Sequence, residues 1–160
     1  MIELNQNTVG ENMKKSEMAV KLFTDGYNCA QAVLGAFAND VGLLQSQALK
    51  MSAPFGGGVG RQREICGACS GMLMAFGLLY GYDTAEAGEN KKLLYEQTRT
   101  LCDEFASING SIICRDILKT AEVGGVPAAR TSQYYNERPC VRCVRTACEI
   151  LEKYIENIVD

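Results

Sequence analysis

Sulfur is the element with which this chain can do chemistry. Its 160 residues include eight cysteines and no histidine, so the commonest general base and nitrogen ligand is missing. Thiols oxidise, exchange disulfides and bind soft metals, and we therefore expect a redox or metal-binding role built mainly from sulfur. The cysteines are Cys29, Cys66, Cys69, Cys102, Cys114, Cys140, Cys143 and Cys148.

Two Cys-x-x-Cys pairs have the spacing that places both thiols on one face of a helix. Cys66 and Cys69 open a predicted helix, and Cys140 and Cys143 repeat the spacing near the start of the last helix. The positive end of a helix favours thiolate, so Cys66 is predicted to be the redox-active thiolate if the site holds no metal. Cys69 and Cys143 are additional ligand candidates, and a packing role stays open for each. The separation of the pairs is not typical of a zinc ribbon, and no βαβ pattern supports a thioredoxin-like site.

A glycine-rich segment precedes the first of these pairs. Residues 55–61 read FGGGVGR, a composition typical of a loop with positive φ angles or close backbone approach. The segment lacks the lysine and Ser/Thr of a P-loop, and no strand precedes it as in a dinucleotide-binding fold. We expect the backbone N–H groups of Gly57, Gly58 and Gly67 to lie near the cysteine site and to contact its cofactor.

Composition and charge indicate an ordinary folded domain. The formal net charge is −3, with 47% apolar and 22% charged residues. No basic stripe with interleaved aromatic residues predicts nucleic-acid binding, although Arg61 and Arg63 are candidates for stabilising negative charge near the glycines. The longest uncharged run, residues 65–80, is shorter than the roughly 20 residues that span a bilayer. Because the first residues lack a signal-peptide pattern, we expect a cytoplasmic protein with reduced thiols and no membrane partner.

Helical periodicity predominates along the chain, and no segment alternates for long enough to predict a strand. We predict an all-α fold for residues 1–160, a single-domain bundle of about five to seven helices around a Gly-, Ala- and Cys-rich central helix. Residues 1–11 are predicted to be a loose N-terminal segment and residues 120–133 a loop. Helices are predicted at residues 12–23, 28–39, 46–51, 64–80, 84–108 and 112–119, and from residue 138 or 140 to residue 158.

Several motifs in order resemble a family of small redox-active proteins named for a cysteine, a CGAxxG signature and two later cysteines. The matching segments are GYNCAQAV at residues 26–33, FGGGVGR at 55–61, CGACSG at 66–71 and NGSIICRDIL at 109–118, followed by Cys140. The resemblance extends over nearly the whole chain from about residue 23. It implies a redox-active protein.

The family pattern singles out four cysteines, which correspond to Cys29, Cys66, Cys114 and Cys140. The resemblance therefore implies that these four form one site. A related domain occurs in cytochromes of the split-Soret type, where an iron–sulfur centre has been associated with it. This chain has no C-x-x-C-H sequence for haem attachment. Four cysteines lie outside the pattern. Cys69 and Cys143 are the additional ligand candidates, and Cys102 and Cys148 are interpreted as packing residues.

Three functions remain open from the sequence. The first is an iron–sulfur cluster held by the four family cysteines for electron transfer or redox sensing, because four thiolates are the usual ligand set. The second is metal-free thiol–disulfide exchange through Cys66, and the third is a site for zinc or another thiophilic metal. If the protein is an enzyme, we expect an oxidoreductase. Expected partners are a redox protein of unknown identity and a second copy of the chain, bound through the apolar helix of residues 65–80.

Overall fold

Helices account for the regular structure of residues 13–159, which the computed structural model describes. The predicted all-α class is confirmed, and backbone pairing between extended segments of these residues is limited to one isolated antiparallel bridge, between Ile65 and Ile113. The predicted loose segment at residues 1–11 lies outside the described residues. The helices are α1 (Lys15–Thr24), α2 (Cys29–Ala36), α3 (Gln45–Ser52), α4 (Gly56–Val59), α5 (Gly67–Tyr80), α6 (Glu89–Asn109), α7 (Cys114–Leu118), α8 (Ser132–Glu137) and α9 (Cys140–Val159).

A capping box determines where α2 begins. The side chain of Asn28 accepts a hydrogen bond from the Gln31 N–H group, and the Gln31 side chain accepts one from the Asn28 N–H group. The Asn28 amide also donates to the carbonyl oxygen of Ala53, and the Gln31 amide donates to that of Leu49. These bonds tie α2 to the end of α3 and place Cys29 at the first position of α2.

The small residues of α5 allow α2 to approach it closely. A Cβ atom at Gly71 would lie 2.8 Å from the carbonyl oxygen of Ala30 and 3.0 Å from the Cβ atom of Val33, and one at Gly67 would overlap the sulfur of Cys29. Glycine at these two positions therefore allows the close approach of α2 to α5. Helix α5 also contacts α6 and α9, so it occupies the centre of the bundle.

The last helix completes the core and contacts α2 as well as α5. The buried face of α9 includes Cys143, Val144, Ala147 and Cys148, and α9 packs against α1, α5 and α6. Cys148 is fully buried there, as the packing interpretation expects. No helix among residues 13–159 combines the length and the apolar character that a membrane span needs.

Several elements differ from the predictions. Helix α2 ends at Ala36 rather than at residue 39, α6 begins at Glu89 rather than at residue 84, and α4 lies in the glycine-rich segment predicted to be a loop. The predicted helix over residues 64–80 begins only at Gly67, since Ile65 pairs with Ile113 in an extended conformation. Helix α8 was not predicted, and its first residues fall at the end of the segment assigned to a loop. The Thr131 side chain caps it by accepting a hydrogen bond from the Tyr134 N–H group.

Candidate functional site

Four cysteines that are far apart in the sequence line one cavity. Cys29, Cys66, Cys114 and Cys140 surround it together with Cys143, and we call it the thiol cavity. Its volume of about 60 Å³ is several times the roughly 10–15 Å³ that one water requires. The cavity therefore has room for a group larger than one water molecule beside these cysteines.

Each of the four cysteines of the sequence pattern lies at the start of a helix. Cys29, Cys114 and Cys140 are the first residues of α2, α7 and α9, and Cys66 immediately precedes α5. The N-terminal end of a helix carries partial positive charge and unpaired N–H groups. Four such ends directed at one cavity favour an anionic occupant over a neutral one.

The bridge between Ile65 and Ile113 holds two of these cysteines in place. The N–H group of Cys66 donates to the carbonyl oxygen of Ile112 at 2.7 Å, and that of Cys114 donates to the carbonyl oxygen of Glu64 at 2.6 Å. The start of α5 is thereby bound to the start of α7 through backbone atoms alone. Because backbone hydrogen bonds join these two segments, the relative positions of Cys66 and Cys114 do not depend on flexible side chains.

The glycine-rich segment forms a left-handed turn beside the cavity. Gly57 and Gly58 have φ angles of 67° and 71°. Gly57 and Gly67 line the cavity, and the Gly57 N–H group acts on the sulfur of Cys29 to lower its pKa. Gly58 lies behind the cavity wall instead, where a Cβ atom would come within 2.7 Å of the Cys114 Cβ atom. Two of the three glycines predicted to approach the site therefore line it.

Three arginines add positive charge to the cavity wall. Arg63 is buried, and its guanidinium group lies 3.8 Å from the sulfur of Cys114. Arg130 and Arg138 also line the cavity, with guanidinium carbons 4.8 Å and 4.5 Å from the ring centroid of Tyr134. Within residues 13–159, none of the three forms an ion pair with a carboxylate; the arginine ion pairs there are those between Arg61 and Glu122 and between Arg115 and Glu64.

Sequence reasoning identified Arg63 as a candidate for this role but missed Arg130 and Arg138. Both flank α8, in or next to the segment predicted to be a loop, and nothing in the local sequence indicates that this segment returns to the cysteines. The Arg130 guanidinium donates to the carbonyl oxygens of Phe23 and Tyr27, at the end of α1 and in the turn that follows it. Those contacts bring it to the cavity, and they become visible only in the folded chain.

Crowding of thiols and burial raise the pKa values of the cavity cysteines. The Cys66 thiol and burial raise the pKa of Cys29 well above its ordinary value, and the Cys143 thiol raises that of Cys66. Burial and the nearby Cys29 raise the pKa of Cys140 to about 12, and burial raises that of Cys114. The pKa of Cys66 is thus raised rather than lowered as expected, because the Cys143 thiol and burial outweigh the Cys29 thiol and the Cys69 N–H group, which lower it.

Comparison with known proteins bears on this set of cysteines. A family model described as "Putative redox-active protein (C_GCAxxG_C_C)" matches residues 27–154, a range that includes all four cavity cysteines of the sequence pattern. The chain belongs to this family. A protein of Archaeoglobus fulgidus described as "Uncharacterized protein" is 25% identical over 150 residues, which cover 88% of this chain and 92% of that protein. No solved structure matches the chain significantly.

The cysteines outside the C_GCAxxG_C_C pattern occupy three different environments. Cys143 lines the thiol cavity, and its thiol lies 3.5 Å from the amide oxygen of Asn109. Cys69 does not line the cavity. It is buried on α5, where its thiol interacts with that of Cys102 on α6. Cys148 is buried away from both sites. Of the two additional ligand candidates, only Cys143 is therefore placed beside the family cysteines.

Cys102 differs from the cavity cysteines in the direction of its pKa shift. The adjacent Cys69 thiol lowers the pKa of Cys102 to about 7, and burial and Asp103 only partly oppose this effect. Cys102 is half-buried, whereas Cys69 is fully buried. Cys102 is therefore more accessible to a reagent than Cys69, and the Cys69 thiol favours its thiolate form.

We expect iodoacetamide to alkylate Cys102 before any other cysteine at about pH 7.5. Thiolate is the reactive form, so the rate should rise as the pH passes about 7 and then level off. Peptide mass spectrometry after limited labelling identifies the modified residue. Cys69→Ala should move the midpoint of this rise toward the ordinary cysteine value. First labelling at Cys29 or Cys140, or an unchanged midpoint in Cys69→Ala, would contradict the expectation.

Among residues 13–159, no three Cys, Asp or Glu side chains are close enough together to bind one metal ion.

Proposed function

We propose that this protein holds an iron–sulfur cluster on Cys29, Cys66, Cys114 and Cys140 and uses it for electron transfer or redox sensing. The main support for the proposal is that these four cysteines line one cavity. Four cysteine thiolates are the usual protein ligands of such clusters. Membership of a redox-active family supports the same class of function.

Charge is the second argument for this occupant. A cluster with four thiolate ligands is anionic, and burying an anion requires compensating positive groups. Helix starts and the guanidinium groups of Arg63, Arg130 and Arg138 supply that compensation around the thiol cavity. Hydrogen bonds to the sulfur ligands also tune a cluster's potential, and the Gly57 N–H group is placed to make one to Cys29.

Bound iron would also reverse the protonation of the site. In the metal-free protein the raised pKa values keep the cavity thiols protonated at neutral pH. Metal ligands must be thiolates, so loading of the cluster releases protons. In this proposal the bound cluster supplies one-electron redox chemistry. The protein surrounds it with apolar side chains such as Ile117 and Leu118, which limit access of water.

A second candidate is thiol–disulfide exchange between Cys29 and Cys66. It is favoured by the direct interaction of these two thiols within the cavity. The attacking group in such exchange is a thiolate, and the raised pKa of Cys66 makes that form scarce at neutral pH. We therefore rank this function below the cluster. In both cases the electrons pass to or from a redox partner, and a cytoplasmic location with reduced thiols suits both.

The deciding experiment is purification of the protein without air. We expect a brown protein with broad visible absorption and similar amounts of iron and acid-labile sulfide per chain. Zinc analysis and counting of free thiols before and after oxidation belong to the same experiment. A colourless, iron-free protein that loses two free thiols on oxidation would replace the cluster with thiol exchange. A colourless protein that contains zinc would identify a plain metal site.

A further inference from the structure

A second cavity opens beside the thiol cavity, and arginine is its predominant charged residue. Arg61, Arg63, Arg130 and Arg138 line it, together with Tyr134 and the glycine-rich turn, and we call it the arginine cleft. Its volume is about 290 Å³. No aspartate or glutamate is among its lining residues in the described part of the chain. The cleft is therefore a concave surface with an excess of positive charge.

Contacts with the rest of the protein hold these arginines in place without neutralising most of them. Arg61 donates to the carbonyl oxygen of Gly124 at 2.7 Å, and its ion pair with Glu122 at 3.3 Å is the one carboxylate contact of the cleft among residues 13–159. The Glu122 side chain is 73% exposed, so water weakens this pair. Arg63 donates to the Glu122 carbonyl oxygen, which carries no net charge.

The ring of Tyr134 orders the two remaining arginines. The guanidinium groups of Arg130 and Arg138 both lie against this ring, and Arg130 also lies 4.7 Å from the centroid of Phe23. Stacking restricts the orientation of a guanidinium group. Arg130 already donates to the carbonyl oxygens of Phe23 and Tyr27, and its remaining N–H groups can bind an acceptor. Less conformational entropy is then lost when these groups bind a ligand.

We propose that the arginine cleft binds a small anion that carries a phosphate or carboxylate group and holds it next to the redox site. Guanidinium groups recognise both kinds of oxyanion through paired N–H donors. The cleft is close in size to the lower end of ligand pockets, which is about 300 Å³. Arg63, Arg130 and Arg138 line the thiol cavity as well, so an anion bound by them is adjacent to the cysteines.

Charge compensation for the thiol cavity does not account for the whole cleft. Arg61 lines the cleft but not the thiol cavity, and the cleft has a wall of its own formed by Gly125, Pro127 and Ala128. A concave site of this size suits a small molecule rather than the convex surface of a partner protein. None of its lining residues is a cysteine, so the inference does not depend on whether iron is bound.

Calorimetric titration with two probes, inorganic phosphate and malonate, tests the inference at constant ionic strength in chloride. We expect saturable binding of at least one probe at one site per chain. Arg138→Gln should weaken it by about tenfold or more, since a charge-assisted hydrogen bond contributes roughly 1.5–3 kcal/mol. Arg145→Gln is the matched control, because Arg145 is an exposed arginine of α9 outside the cleft, and it should change the affinity less than twofold.

Arg61→Gln provides a second variant on the opposite wall, and it should also weaken binding if the folded content is unchanged by circular dichroism. Absence of saturable binding for both probes would overturn the inference. So would equal affinities in Arg138→Gln and Arg145→Gln, since binding would then reflect overall charge rather than the cleft. Retained binding in both Arg61→Gln and Arg138→Gln would place the anion outside the cleft and would likewise overturn the inference.

Discussion

If the proposed cluster is bound, we expect replacement of Cys66 by serine to remove the iron and the visible absorption of protein purified without air. Cys66 lies between the thiols of Cys29 and Cys143, and its backbone is bound to the segment that carries Cys114. A serine hydroxyl is a poor ligand for a cluster that prefers thiolates, so the loss should be nearly complete. Iron analysis and the visible spectrum of the purified variant measure it. The equivalent changes at Cys29, Cys114 and Cys140 should act in the same direction.

Cys148→Ser is the matched control for this series. Cys148 is buried in the same bundle but lies outside the thiol cavity, so the variant should keep its iron and colour. Cys143→Ser tests whether every thiol that lines the cavity is needed for iron binding or only those of the family pattern. Cys143 lines the cavity without belonging to the pattern. We expect iron to remain in that variant. If iron and colour survive in Cys66→Ser, the assignment of the ligand set fails.

Gly71→Ala should strongly destabilise the protein. The added methyl group would lie 2.8 Å from the backbone oxygen of Ala30, and a backbone atom cannot move aside as a flexible side chain can. Overpacking of a tight core costs typically about 1–3 kcal/mol, and contact with backbone places this site at or above the upper end. Urea denaturation followed by circular dichroism gives the change in the free energy of unfolding.

Gly77→Ala, in the same helix, should have the opposite sign. Among residues 13–159, no heavy atom beyond the chain neighbours and the local helix backbone lies within 4 Å of a Cβ atom at Gly77, so the change adds helix propensity without a clash. Alanine in a helix interior is favoured over glycine by about 1 kcal/mol. Equal effects of the two substitutions would show that helix propensity, and not the contact with α2, determines the role of Gly71.

Loading of the proposed cluster is expected to release protons from the cavity thiols. Thiols packed together raise one another's pKa values, as the Cys66 thiol does for Cys29. A site of this kind is poor at thiol exchange when it is empty, because thiolate is scarce. It is well suited to an occupant that converts the thiols to thiolates and offsets their mutual repulsion with its own positive ions. The same geometry that disfavours the second candidate function therefore supports the first.

Local signals predicted most of the helices, although α5 and α7 begin three and two residues later than predicted. The capping box of Asn28 and Gln31 and the glycines after α1 and before α5 are readable because each acts on residues a few positions away. The family motifs identified the four cysteines that line the cavity. They did not identify α8, whose single capping side chain is a weak signal within a segment rich in turn residues.

Tertiary structure alone decided which groups meet. The bridge of Ile65 with Ile113, the return of Arg130 to the end of α1 and the pairing of Cys69 with Cys102 join residues that are distant in sequence. The direction of the Cys66 pKa shift depends on the same kind of contact. Periodicity and capping depend on a few neighbours along the chain, whereas the electrostatic environment of a thiol depends on all groups within a few ångströms. Only the packing of the helices determines which groups those are.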